Sequence, residues 1–486
     1  MAETITIAGE TKSRNLFGRR VIYTSLNEIN RENVASAVHL AMTIHAVNAG
    51  EIDYLWNYYR GNQPILHRKK KIRPEICNKV VVNRANEIVT FKVGYLCGEP
   101  IQYVSKTSGE EVTGGIITLN DFMDLTEKNA VDREVVEWMM IAGVGDKIVL
   151  PGDDDVPFRQ YSLDPRTTFV CYSNKIGHEP VFGVSFTSDP ETHEITFGVY
   201  TKDRYFEVVC DKVTVERGNP LGQIPIVECP ANHARLGAFE IVVPMLDSIN
   251  MVASNRIDGI EQFVQSFLKF VNCDIDEEKF KALQELGGIK VRSPDGQKAD
   301  VEIVTSELNQ QQTQTLVDDM YQTVLDICGM PNRNGGSSTS DTGSAVIMRD
   351  GWSLAEARAK DTEILFKASE NRFLKMVLRY CEGIGDLKLK LKDIDIKFTR
   401  RNYENIQSKA QVLVSMLQQP QIHPLLSFTS CGLFSDPEAA FNMSQKYYEE
   451  YMAQAIVRED ENRKGQEKTE KQENTAEGTA STNAKE

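Results

Sequence analysis

At 486 residues, with 41% hydrophobic and 26% charged side chains, the chain has a globular composition rather than a disordered or membrane one, and domains of roughly 100–200 residues make about three folded units. The formal net charge of −15 argues against a protein that grips DNA, because tight binding uses Lys and Arg to displace counterions from phosphates. An acidic surface can still handle DNA by repelling it. No apolar stretch reaches the ~20 residues that cross a bilayer, and the N-terminus lacks the basic-then-apolar order of a secretory signal, so a cytosolic chain is expected. The nine cysteines are scattered without C-x-x-C pairs and read as reduced, mostly buried thiols.

In chain order, residues 27–60 place Val34, Val38, Ala41, Met42 and His45 at helical spacing, which predicts one or two helices ending at Gly61. The basic run His67–Arg73 has no interleaved aromatics and reads as a solvated loop. Residues 78–104 begin as an amphipathic helix and change at Gly94-Tyr95 to a strand-like run bounded by Gly98 and Pro100. Between 160 and 230, β-branched and aromatic residues alternate with polar ones between turn signals, predicting mostly antiparallel strands. The first 235 residues together predict one α+β domain.

A long helical pattern then runs from Phe239 to Val271, with Pro244 marking its regular start or a kink. From Pro244 to Val271 it would span ~42 Å at about 1.5 Å per residue. A compact insert follows, with a small helix at Asp276–Leu286 and strand-like pieces IKVRS (289–293) and VEIVTS (301–306) joined by the turn Pro294-Asp295-Gly296. A second helix, Leu308–Cys328, completes a helix hairpin with a small tip. The Gly- and Ser-rich stretch 331–342 predicts a mobile loop. Beyond it lie a long helix, Ser344–Glu382, bent at Gly351, a strand at Asp393–Phe398, helices near 403–418 and 436–457 joined by a connection, and a polar tail, 458–486, that is expected to be disordered.

The familiar catalytic motifs are missing: the sequence has no GxxxxGK[ST] loop, no HExxH and no GxSxG. The best metal candidate is Asp153-Asp154-Asp155, since hard cations favour carboxylate oxygens. Adjacent residues of an extended segment point to opposite sides, however, so a solvated turn is the expectation. Cys328 and Cys381 read as core residues. No catalytic residue, metal or cofactor is expected.

Two separated stretches carry a likeness. Asn78, Asn83, Ala85, Ile88, Val89, Gly94-Tyr95, Gly98, Pro100-Ile101 and Tyr103 form the first, and IPIVECPANHARLGAFEIVVPMLDSINMVASNRIDGIEQF (224–263) the second. Gly343-Ser344-Ala345 and SFTSCGLFSDPEAAF (427–441) are weaker echoes. With these the sequence resembles the Gp6-like portal proteins of long-tailed bacteriophages over roughly residues 30–452.

The resemblance implies an α+β, portal-type ring subunit with an α/β wing, a long-helix stem hairpin, a small αβ clip and a helical crown. Mapped onto this chain, it implies an N-terminal arm (1–26), wing (27–238), first stem helix (239–272), clip (273–306), second stem helix (307–330), tunnel loop (331–342), long kinked helix of the wing (343–392), crown (393–457) and tail (458–486). The ring, of twelve copies in the family's usual form, would sit at a capsid vertex and carry DNA during packaging and ejection. The implied partners are further copies of the chain, the terminase large subunit, head-completion or adaptor proteins, the major capsid and scaffolding proteins, and the double-stranded DNA itself, with no membrane. It would be a virion component, present in host cytoplasm during assembly, and not an enzyme.

The resemblance, together with the charge of the helices it marks as the stem, implies the candidate residues. Asp247, Asp258, Glu261, Asp318, Asp319 and Asp326 are the acidic stem lining, in helices whose eight acids outnumber two bases. Asn332, Arg333, Asn334, Gly335, Gly336 and Ser337 would line the channel from the loop. Asp276, Glu277, Lys281, Lys290, Arg292 and Lys298 would make the docking surface of the clip. Two rival readings are a capsid or scaffold-type structural protein and a metal-dependent nuclease seated at Asp153–Asp155.

Overall fold

The computed structural model describes residues 18–71, 73–106, 110–153, 156–264, 267–271, 300–304, 310–332, 351–385, 387–400, 406–434 and 437–454. Its contacts divide the chain into two units, one of Met1–Gln102 with Thr107–Arg400 and one of Tyr103–Lys106 with Arg401–Glu486. Helix and sheet are mixed, as an α+β chain requires.

The first unit opens with β1 (Ile22–Thr24) and a single helix, α1 (Val34–Tyr59). Val34, Ala37, Val38 and Ala41 are buried at steps of three and four, so one stripe faces the sheet beneath. His45 lies on that stripe as expected, its ring Nε2 2.9 Å from the Arg166 carbonyl and its face 4.5 Å from the Phe169 ring.

Next come α2 (Arg84–Leu96), then β2 (Gln102–Ser105), of which Tyr103–Ser105 belong to the second unit, and, again in the first unit, α3 (Glu110–Leu125) and α4 (Lys128–Ala142). The expected change of structure at Gly94-Tyr95 is not observed. Residues 78–82 are extended instead, Asn83 accepts the Asn86 N–H at 3.3 Å, and the helix runs through Gly94 to Leu96. An Asx cap outweighs the modest penalty of one glycine within a helix.

Two sheets follow. Strands β3 (Val144–Asp153), β4 (Val156–Leu163) and β10 (Ile226–Pro230) form an antiparallel sheet in the order β10-β3-β4. The other has the order β1-β5-β6-β7-β8-β9, with β5 (Thr168–Ser173), β6 (Pro180–Ser188), β7 (Ile195–Tyr200), β8 (Arg204–Val209) and β9 (Lys212–Gly218). Its pairs are antiparallel except β1 with β5. Phe169, Phe182, Val184, Val199 and Phe206 alternate along these strands and meet α1 in one core.

Gly143, at φ 81°, ends α4 and turns the chain into β3. A Cβ there would collide with the Arg235 carbonyl, so glycine is needed for both the conformation and the close approach.

Helix α5 (Val243–Val264) begins one residue before Pro244, in the first turn where proline is tolerated. It ends seven residues short of the expected Val271. Phe267–Val271 is instead strand β11, paired antiparallel with β12 (Asp300–Val304) from Phe267↔Val304 to Val271↔Asp300. A short apolar run such as FLKFV satisfies either period, and here the β partner decides. The expected helix at 276–286 and strand at 289–293 lie outside the described residues. Helix α6 (Gln310–Cys328) returns antiparallel to α5.

Helix α7 (Trp352–Ile384) has Gly351 as its N-cap at φ 79°, so the expected bend falls at the start of the described helix. It is fixed to the sheet by a buried charge quartet. Lys147 on β3 and Lys128 on α4 both pair with Glu370 on α7 and with Asp132 on α4, and all four side chains are at most 2% exposed. Phe373 lies beneath the Lys147 ammonium, 4.0 Å from ring centre to Nζ. The unit ends with β13 (Ile394–Lys397).

In the second unit, α8 (Ile406–Leu417) precedes α9 (Pro424–Cys431) and a helical stretch at 437–454. The first part of the segment expected as a connection is therefore helical, to Cys431. The His423 ring accepts the Leu425 N–H at 3.2 Å, and Phe428 packs on Phe434 and Phe441.

Candidate functional site on the α5–α6 helix pair

The direction of the pair is fixed at both ends. Near its base the Cys328 thiol of α6 lies 3.6 Å from the Ala238 carbonyl just before α5, and further along Arg256 donates to Gln314 at 2.7 Å. At ~1.5 Å per residue the helices are about 33 and 28 Å long.

One face of α5 is occupied by the chain itself. The N–H groups of Asn78, Val80 and Val82 donate to Asp258 Oδ1, Ser254 Oγ and Asn250 Oδ1 at 2.7, 3.0 and 2.8 Å. Two extended residues advance ~6.6 Å and four helical residues ~6.0 Å, so alternate amides meet every fourth helix side chain. Ser254 and Asn250 are fully buried along this seam, and Asn250 also donates to Gln63 at 2.5 Å.

Asp258 anchors the outer end. Lys70 and Arg68 approach it at 2.9 and 3.1 Å, and the Asn78 side chain donates to it at 3.0 Å. Burial alone would raise its carboxyl, but the Asn78 N–H and the Lys70 contact outweigh burial and hold it below the ordinary range. Asp247 is half-buried and takes a 2.9 Å hydrogen bond from Tyr58; burial raises its carboxyl, and that bond acts in the opposite direction.

The six acids expected to line the stem thus divide. Asp247 and Asp258 turn inward. Glu261, Asp318, Asp319 and Asp326 are exposed, with Asn78, Gln314 and Gln322 donating to Glu261, Asp318 and Asp326 at 2.6, 2.7 and 3.0 Å. None of these three donors carries a charge, and Gln310–Cys328 contains no Lys or Arg.

Arg68 and Lys70 belong to the basic run expected to be solvated, but they pair with Asp258 on α5 instead. The available signal was the period of four in Asn250, Ser254 and Asp258, which places three hydrogen-bonding groups on one side of the helix.

Of the loop residues, only Asn332 is described; Arg333, Asn334, Gly335, Gly336 and Ser337 lie outside the described residues, as do all six clip candidates, Asp276, Glu277, Lys281, Lys290, Arg292 and Lys298. Pro331 and Gly351, which flank the undescribed residues 333–350, lie close together, since a Cβ on Gly351 would lie 3.7 Å from the Pro331 Cα. Asp153 pairs with Arg159, and Asp154 and Asp155 are outside the described residues. Among the described residues no three His, Cys, Asp or Glu side chains gather as a metal site, and no helix is long and apolar enough to cross a membrane.

The structure is a mixed α+β chain carrying an out-and-back helix pair with four exposed acids. Residues 39–465 match the family model of the phage portal protein, SPP1 Gp6-like, and the chain belongs to that family. No curated protein matches it.

Proposed function

We propose that twelve copies form a ring at a capsid vertex, through which DNA enters during packaging and leaves on ejection. The supporting observation is the α5–α6 pair, in which α6 presents Asp318, Asp319 and Asp326 with no basic residue on the same helix. Repeated around a bore, these acids and Glu261 would face DNA phosphates with like charge. Repulsion prevents counterion-releasing contacts and lets the duplex slide.

In this reading residues 27–238 are the wing, the α5–α6 pair is the stem, 273–306 the clip that docks terminase and later adaptor proteins, 331–342 the tunnel loop and 393–457 the crown. The chain is a conduit without its own catalytic step, and the energy for packaging comes from ATP hydrolysis by the docked terminase. Its place is the virion, after assembly in host cytoplasm.

Negative-stain class averages of the purified chain test the ring: end-on views with twelve-fold symmetry and an axial hole are expected, while shells, rods or monomers overturn it. Asp318→Lys with Asp319→Lys tests the lining. Rings of this variant should package poorly, and wild-type packaging by them removes the electrostatic role.

A further inference from the structure

A groove of about 480 Å³ opens where α2, α4, α6 and α7 meet, lined among others by Lys92, Met140, Ile241, Ile327, Arg358 and Ile364. Lys92 and Arg358 also line a smaller adjoining cavity between α2 and α7, against Phe91 and Tyr95. Lys92 is part-buried in the groove wall, whereas Arg358 stands at its exposed rim. Among the described residues no carboxylate forms an ion pair with either.

The nearby acids of α7 are already engaged. Glu356 takes Arg400 at 2.6 Å and the Tyr95 hydroxyl at 2.9 Å, and Glu363 takes Lys367 at 2.8 Å as well as Arg400. Asp361 lines the groove without pairing with Lys92 or Arg358. Burial lowers the Lys92 ammonium; the Cys328 thiol opposes this and Arg358 adds to it. A partly desolvated cation beside a second cation is relieved by an incoming carboxylate.

The rim is apolar. Ile241, Ile327 and Ile364 are 56%, 40% and 66% exposed around one opening. The apolar rim and two cations without a carboxylate partner among the described residues together fit an acidic side chain flanked by apolar residues.

We infer that this groove receives a carboxylate from a second copy of the chain, whose apolar residues beside it cover Ile241, Ile327 and Ile364. Charge complementarity selects that occupant. The chain carries 70 acids against 55 bases, so a neighbouring copy offers carboxylates in excess, and a groove with cations left over is where one can be accommodated. The inference rests on the ring reading above and adds to it a specific joint between neighbours.

Carbodiimide couples a lysine directly to a carboxylate in contact with it. Applied to the full-length chain assembled from equal amounts of unlabelled and isotope-labelled protein, it should join Lys92 to an Asp or Glu of the other label. Coupling of Lys92 only within one label, for instance to Asp341 or Asp350 of its own chain, overturns the inference, as does the absence of any Lys92 adduct in assembled protein. The variant Lys92→Met with Arg358→Met should keep the wild-type circular dichroism but require at least tenfold more protein to assemble, with a weaker salt dependence. If it assembles like wild type, this joint fails and the ring stands. A wild-type chain that remains monomeric removes the ring reading and the joint with it.

Discussion

Glu370→Gln is expected to be among the most destabilising single changes in the first unit. Glu370 is fully buried and contacts Lys128 at 3.1 Å and Lys147 more closely, while Asp132 faces the same two lysines. Two cations and two anions balance inside the fold. Burial acts to lower the Lys147 ammonium, yet Glu370 and Asp132 outweigh it and keep the group charged. Removing one anion leaves two buried ammonium groups sharing Asp132, and breaking a buried pair in this way costs about 3–5 kcal/mol. The double variant Glu370→Leu with Lys147→Met retains the neutral Lys128–Asp132 pair, and such apolar replacement is often neutral or stabilising. Guanidinium unfolding followed by circular dichroism measures both. A loss below ~1 kcal/mol for Glu370→Gln, or a double variant no more stable than the single one, would refute the argument that uncompensated charge sets the cost.

Asp258→Asn should cost about 1.5–3 kcal/mol, the range for hydrogen bonds to a charged group, and speed amide exchange at Val80 and Val82; unchanged exchange there would separate Asp258 from the seam. Because its folded carboxyl lies below the usual range, the stabilisation is present above the unfolded pKa near ~3.9 and lost as pH falls through the folded value, so the variant should lose less stability on acidification than wild type. Asp146→Asn has the opposite sign. Asp146 is buried directly across from Glu228 in the β3–β10 register, and burial followed by the Glu228 charge raises its carboxyl, so its contribution is complete below ~3.9 and lost as pH rises through the folded value. Melting temperatures from pH 5 to 8 should show the variant gaining on wild type as pH increases, and a constant difference would rule this out.

Elements with one period were legible in the sequence. The α1 stripe and the alternation in β5 to β8 each fit a single spacing, and the fold places them as that spacing requires. Phe267–Val271 was not legible because five mostly apolar residues can continue a helix or start a strand. The quartet was legible only in part. Lys128 and Asp132 stand four apart on one helix, but Glu370 is 223 residues from Lys147, and no local spacing connects them.

Charge counted along a segment differs from charge presented by a surface, and the helix pair shows how. Eight acids against two bases made the whole pair seem acidic. In space, Glu240 at the start of α5 is matched by buried Arg19 at 2.6 Å, Asp258 is matched by Arg68 and Lys70, and Asp247 is half-buried against Tyr58. Bases from residues 19–70 neutralise the inner face of α5, leaving the exposed excess on Glu261 and on Asp318, Asp319 and Asp326 of α6. A repulsive lining therefore depends chiefly on α6. Asp258→Asn should disturb stability more than packaging, and Asp318→Lys with Asp319→Lys should disturb packaging more than stability; the reverse pattern in paired melting and packaging assays would place the working charges on α5.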